Sequence, residues 1–175
     1  MGNDALESGG CLASHGISHF NGLQASGKST FFRDYLAATH VLVSKDLMRN
    51  NRNKSRRQIQ LIENALQAGH SVAVDNTNPE VLDRRPLIDI GRTYNAQIIG
   101  YYFESIVSDC LARNQKRSGQ SQVPDIAIYA TIKKMVLPSY AEGFERLFSA
   151  RIAEKFTFEV KPWPPQEVIH GQSDI

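Results

Sequence analysis

The octapeptide Gly22-Leu-Gln-Ala-Ser-Gly27-Lys28-Ser29 constrains this 175-residue chain more than any other feature. It fits the pattern G-x-x-x-x-G-K-[ST] and lies between an apolar run and a stretch of helical periodicity. Gly22 and Gly27 let such a loop wrap backbone N–H groups around a phosphate, with Gln24, Ala25 and Ser26 completing the cradle. A helix that begins at the loop aims the positive end of its dipole at the same charge. Lys28 then reaches the β- and γ-phosphates of ATP, the Ser29 hydroxyl suits Mg²⁺, and Thr30 stands as a reserve ligand. The bland alternative is a glycine-rich turn, but a chance match in a chain of this length is on the order of 1%. A loop that binds nucleotide without catalysing anything also fits.

From Gly16 onward short apolar runs alternate with longer amphipathic stretches, the order that builds a parallel sheet covered by helices. The expected strands are residues 17–21, 40–44, 71–75, 96–103 and 156–160, which makes an α/β fold with about five parallel strands. The first of these carries His19 and Asn21, which predicts a short or irregular strand. One helix is expected from a capping box of Ser55 and Gln58, with Ile59, Ile62 and Leu66 on one face and Gly69 at its end. Another is expected to open at Asn78 and Pro79 and to kink at Pro86. Residues 1–15 read as a flexible leader and 16–161 as one domain; residues 162–175, with three prolines around Trp163, read as an irregular strap ending in disorder.

Composition decides less. With 41% hydrophobic and 22% charged residues the chain suits one globular core, and a net charge of +2 is too mild to demand a nucleic-acid partner. Cys11 and Cys110 are too sparse for a disulfide framework, which favours a cytoplasmic location. No apolar run approaches the roughly 18 residues of a membrane span. Cys11, His15 and His19 have ligand-like spacing, but a structural metal takes four ligands in a fixed frame, so none is expected. Nothing in the pattern specifies an oligomer.

Three further clusters follow the expected strands, where open parallel sheets deliver residues to a ligand crevice. In Ser44-Lys-Asp46-Leu-Met-Arg49, Asp46 is the candidate general base and Arg49 the candidate grip on an acceptor phosphate; the plain alternative is a surface ion pair. In Asp75-Asn76-Thr77-Asn78, polar groups gather before a helix start, suited to phosphate or metal-bound water or, more blandly, to Asx-turn capping. Arg113 and Arg117 end a helix expected from about Ser105 and precede a polar stretch to Pro124, the layout of a lid that closes over a transferring phosphoryl group. Cations at a helix C-terminus are the alternative reading there. Between Lys45 and Arg57 stand six basic side chains against the single acid Asp46, a strip suited to backbone phosphates or simply a solvated helix entry. Tyr101, Tyr102 and Phe103 are expected in the core rather than as base-stacking platforms.

Taken in order, the phosphate loop, Ser44 to Arg49, Asp75-Asn-Thr-Asn78-Pro79, and Arg113-Asn-Gln-Lys-Arg117 with Val123-Pro124 resemble the 5′-hydroxyl polynucleotide kinases over about residues 22–144. That resemblance implies a P-loop kinase fold with an arginine-bearing lid, in which Lys28 and Ser29 serve ATP and Mg²⁺. It also implies that Asp46 activates the 5′-hydroxyl, that Arg49 and Thr77 hold the acceptor's phosphate, and that Arg117 engages the donor phosphates with Arg113 assisting. The chain contains no Asp-x-Asp, so the 3′-phosphatase that often accompanies this kinase is not expected. The residues leave three readings: a polynucleotide 5′-kinase, a kinase of a small metabolite or sugar-type hydroxyl, and a non-catalytic nucleotide switch.

Overall fold

The computed structural model describes residues 15–154 and 157–163; all of the expected leader but His15 and most of the expected tail lie outside them. In chain order come β1 (Gly16–Gly22), α1 (Lys28–Phe31) running on as a π-helical turn to Leu36, β2 (His40–Val43), α2 (Lys54–Gln67), β3 (Ser71–Asp75) and α3 (Val81–Thr93). β4 (Gln97–Phe103), α4 (Val107–Gln115), α5 (Asp125–Lys134), β5 (Arg146–Ile152) and β6 (Phe158–Pro162) follow. The strands form one six-stranded sheet in the order β2-β3-β1-β4-β5-β6, and all neighbours pair in parallel except β5 and β6.

The expected sheet of about five parallel strands is present as β2, β3, β1, β4 and β5, but its last strand is not the one expected. The fifth parallel strand is β5, which the sequence reading missed, and β6 at Phe158–Pro162, overlapping the strand expected at 156–160, is an antiparallel edge strand. In β5 the charged Arg146 and Arg151 and the polar Ser149 break the apolar run that marks a buried strand, because only Leu147 and Ala150 are fully buried there.

β1 corrects a second expectation: it is long, central and buried over all seven residues. Burial pushes the His19 imidazole down to about 3, with the nearby Arg84 guanidinium adding to the push, so the ring enters the core uncharged and packs edge-on against Phe144. Alternation along the strand sends Ile17 toward α2 and α3, where it joins Ile62, Leu66, Val72, Val74 and Ile88, and sends Phe20 toward α1, where it meets Phe31 and Phe103. Phe103 is buried, whereas Tyr101 and Tyr102 are half-buried, stacked on Phe148 and set edge-on to Trp163 respectively.

The helix starts also differ from expectation. Asn53, not Ser55, caps α2, its side chain accepting from the Arg56 N–H, while Gln58 turns into the core. α3 begins after Glu80, which forms a capping box with Asp83. Asn78 is instead held at φ +41° with its Nδ2 donating to the Phe20 carbonyl, a use that places it too early for a helix cap. α3 continues through Pro86, which lies on the exposed face of the helix and so opposes no packed neighbour.

Candidate active site

The C-terminal ends of β1, β3 and β2 converge on one cleft of about 630 Å³. β1 delivers the loop from Gly22 to Gly27. Gly27 has φ +99°, and a Cβ there would stand 3.0 Å from both Ile152 and Phe158, so backbone conformation and space both require glycine. Lys28 opens α1 with only 7% of its surface exposed, and its Nζ donates to the carbonyls of Gly22 (3.1 Å) and Leu23 (2.5 Å) and to Ser26 Oγ (3.4 Å). Burial lowers its pKa from 10.5 to about 8; the Asp75 carboxylate opposes that shift in part.

β3 ends in Asp75, whose Oδ2 accepts from Ser29 Oγ at 2.6 Å. The next residue, Asn76, accepts the Lys45 N–H on its Oδ1 at 3.2 Å. Its Nδ2 has no hydrogen-bond partner among the described residues. The two neighbouring side chains therefore reach opposite ways, one to the phosphate loop and one to the turn after β2. That turn, Lys45–Leu47, is one round of 3₁₀-helix capped by Ser44, whose Oγ accepts from the Asp46 N–H. The buried Met48 pins its far end. Asp46 and Arg49 are both exposed, line the cleft, and form no ion pair among the described residues.

Of the sequence-expected residues, Gln24, Ala25, Ser26, Gly27, Lys28, Ser29, Asp46, Arg49, Asp75, Asn76, Thr77 and Arg117 line this one cleft, together with Leu47, Lys54, Ser121 and Val123, to which the sequence reading gave no individual role. Gly22, Thr30, Asn78 and Arg113 do not. Arg113 sits behind the loop: its Nε donates to the Ala25 carbonyl at 2.7 Å, which braces a residue held at φ +59°. Arg117, past the end of α4, lines the cleft and donates to the Ser121 carbonyl at 3.3 Å. Asn78 and the Gly22 N–H, which donates to the Thr77 carbonyl, tie the loop after β3 to β1.

One supporting residue went unread in the sequence. Arg84 on α3 is fully buried, forks onto both Glu142 oxygens at 2.7 and 2.9 Å, and donates to the carbonyls of Asn78, Pro79 and Val136. It fixes the loop that carries Thr77. A lone arginine within a helix of mixed charge gives no sign of this, because Val136 and its carboxylate partner Glu142 lie 52 and 58 residues away.

Ser29 and Asp75 offer two hard oxygen atoms within hydrogen-bond distance at the mouth of the phosphate loop, a set that fits Mg²⁺. No group of three or more His, Cys, Asp or Glu able to hold a metal occurs among the described residues. His15 Nε2 donates to the Tyr94 carbonyl, and Cys11 lies outside the described residues. No helix among the described residues is long and apolar enough to cross a membrane.

Comparison with known proteins agrees with this geometry. The chain is 31% identical over 134 residues to a putative bifunctional polynucleotide phosphatase/kinase of Acanthamoeba polyphaga mimivirus, covering 72% of this chain and 31% of that protein. It is 29% identical over 129 residues to the bifunctional polynucleotide phosphatase/kinase of Schizosaccharomyces pombe, covering 70% and 30%. The chain thus spans less than a third of the length of these relatives. Among solved structures, one chain of the Pnkp1/Rnl/Hen1 RNA repair complex shares the fold, with a TM-score of 0.59 at 21% identity over 89% of this chain and 50% of that one. The AAA domain family matches residues 17–138, from β1 past α5, and the chain belongs to that family.

Proposed function

We propose that this protein transfers the γ-phosphate of ATP to the 5′-hydroxyl end of a polynucleotide. The observation that carries the reading is the single cleft in which the phosphate-loop residues Lys28 and Ser29, the carboxylate of Asp46 and the guanidinium groups of Arg49 and Arg117 meet. The similarity to polynucleotide phosphatase/kinases supports the choice of acceptor.

In this mechanism the loop N–H groups and Lys28 hold the β- and γ-phosphates, and Arg117 meets charge on the transferring group. Arg49 and Thr77 hold the acceptor's phosphate. Asp46 orients the 5′-hydroxyl and takes its proton as the bond from the 5′-oxygen to the γ-phosphorus forms and the bond from that phosphorus to the bridging oxygen breaks, releasing ADP. The loose character of phosphoryl transfer makes orientation of the hydroxyl most of its task. Ser29 and Asp75 would hold Mg²⁺, which supplies charge neutralisation on the phosphate oxygens when bound. The stretch from Arg117 to Val123 acts as a lid over the donor.

The test is one transfer assay with γ-labelled ATP and parallel acceptors: 5′-hydroxyl DNA, 5′-hydroxyl RNA and a panel of sugars and small alcohols. Label in the oligonucleotides supports the proposal. Label confined to small acceptors assigns a metabolite kinase instead, and ATP binding without transfer to any acceptor assigns a nucleotide switch.

A further inference from the structure

The cleft does not stop at Asp46. Beyond the turn at 45–47 a groove of about 610 Å³ opens between β2, which is the edge of the sheet, and α2. Leu42, Val43, Met48 and Leu61 line it as apolar surface, and Arg49 and Arg57 add guanidinium groups, with no carboxylate in the lining. Leu47 and Arg49 belong to both cleft and groove. Leu47 keeps 67% of its surface exposed at that junction. A third depression, of about 660 Å³, shares Asn51 and Arg57 with the groove and carries Arg52 and Arg56 outward along the start of α2. The three depressions form one continuous track, and five of the six basic residues between Lys45 and Arg57 line it.

We propose that this track carries the acceptor strand away from the active site. The second nucleoside lies in the groove with its base against Leu47 and Leu61, and its phosphates meet Arg49 and Arg57, while Arg52 and Arg56 meet the next phosphate. The inference rests on the reading of the cleft as a 5′-hydroxyl kinase site and adds to it a preference for acceptors longer than one nucleotide. The chemistry favours this occupant: a base is flat and uncharged, the phosphodiester beside it is anionic, and the groove pairs apolar lining with cations in the same order. A small hydroxyl substrate would be fully served by the first cleft and would leave the groove unused.

The experiment measures KM at saturating ATP for a nucleoside 3′-phosphate, a dinucleotide, a tetranucleotide and an octanucleotide, all with free 5′-hydroxyls. KM is expected to fall up to the tetranucleotide and then level off. Arg57→Ala, at an exposed position, should raise the tetranucleotide KM roughly fivefold more than that of the nucleoside 3′-phosphate, the loss expected of one exposed phosphate contact. Leu47→Ser should act in the same direction, and Lys133→Glu, an exposed charge change on α5, serves as the control for net charge. A KM independent of acceptor length, or an Arg57→Ala effect no greater than that of Lys133→Glu, overturns the track while leaving the kinase reading in place. Absence of transfer to acceptors of every length overturns the kinase reading itself, and the track with it.

Discussion

The Lys28 ammonium is nearly enclosed by its own loop, with two carbonyls and one hydroxyl as its hydrogen-bond acceptors. Burial is the main reason its pKa stands near 8 rather than 10.5. A triphosphate in the loop brings negative charge beside it and restores the charged form, so nucleotide binding above pH 8 must take up a proton. The sign follows: affinity is flat up to about pH 7.5, then weakens toward tenfold per pH unit, or roughly thirtyfold between pH 7 and 9.5. The terminal phosphate, with a pKa near 6, is already ionised across that window and does not contribute. Lys28→Arg keeps its charge at every pH used, so its affinity for ATP should be weaker but free of the break at pH 8.

Titration calorimetry with MgATP from pH 7 to 9.5, in buffers of different ionisation enthalpy, reads both the affinity and the proton uptake. The free protein supplies a second readout. A lysine pKa depressed on folding means that the unfolded chain binds more protons between pH 8 and 10.5; stability therefore rises across that window, and the cost is fully present below pH 8. A shift from 10.5 to about 8 is worth about 3 kcal/mol, so Lys28→Met should stabilise the free protein at pH 7 by up to that amount, with the gain gone by pH 10.5. An affinity for ATP that stays flat through pH 9.5 in the wild-type protein, or an equal slope in Lys28→Arg, would refute the reasoning.

The remaining expectations concern single groups. Lys28→Ala and Asp46→Ala should each abolish transfer while leaving the circular dichroism spectrum and a cooperative melt intact; turnover retained in the Asp46 variant removes it as the base. Asn76→Ala frees the Lys45 N–H that hangs the Asp46 turn from β3, and should lower kcat by roughly tenfold with the smaller effect on KM for ATP. Asn76→Asp, which keeps an acceptor for that N–H, should recover part of the loss in the same assay. Arg84→Met strands the Glu142 carboxylate, only 8% exposed, and three carbonyls, and should cost about 3–5 kcal/mol in urea unfolding. Adding Glu142→Leu to it should return part of that stability, since the stranded charge is then gone.

Local sequence carried the phosphate loop, the alternation of strands and helices, and the placement of Asp46 just past one strand and Asp75 at the end of another, because each depends on residues a few positions apart. The glycine conformation at Gly27, the alternate valines Val72 and Val74 of β3 and the capping oxygen of Ser44 are all written in short stretches. β5 was not legible, since its charged and polar positions are tolerable only with β6 and solvent beside it. The polarity of β1 misled for a related reason: a histidine is admitted to the central strand only because burial keeps it neutral.

What the sequence determined alone was the kind of chemistry, since a loop of fixed spacing followed by lysine and serine creates a phosphate cradle wherever it is placed after a strand. The tertiary structure decided which residues share that chemistry. Packing of α4 behind the loop gave Arg113 to the Ala25 carbonyl and left Arg117 in the cleft. The order of strands brought Asp75 to Ser29 and Asn76 to the Asp46 turn, across 46 and 31 residues of chain. Contacts over such separations depend on how the sheet is ordered, and sheet order is a property of the whole fold that no short stretch contains.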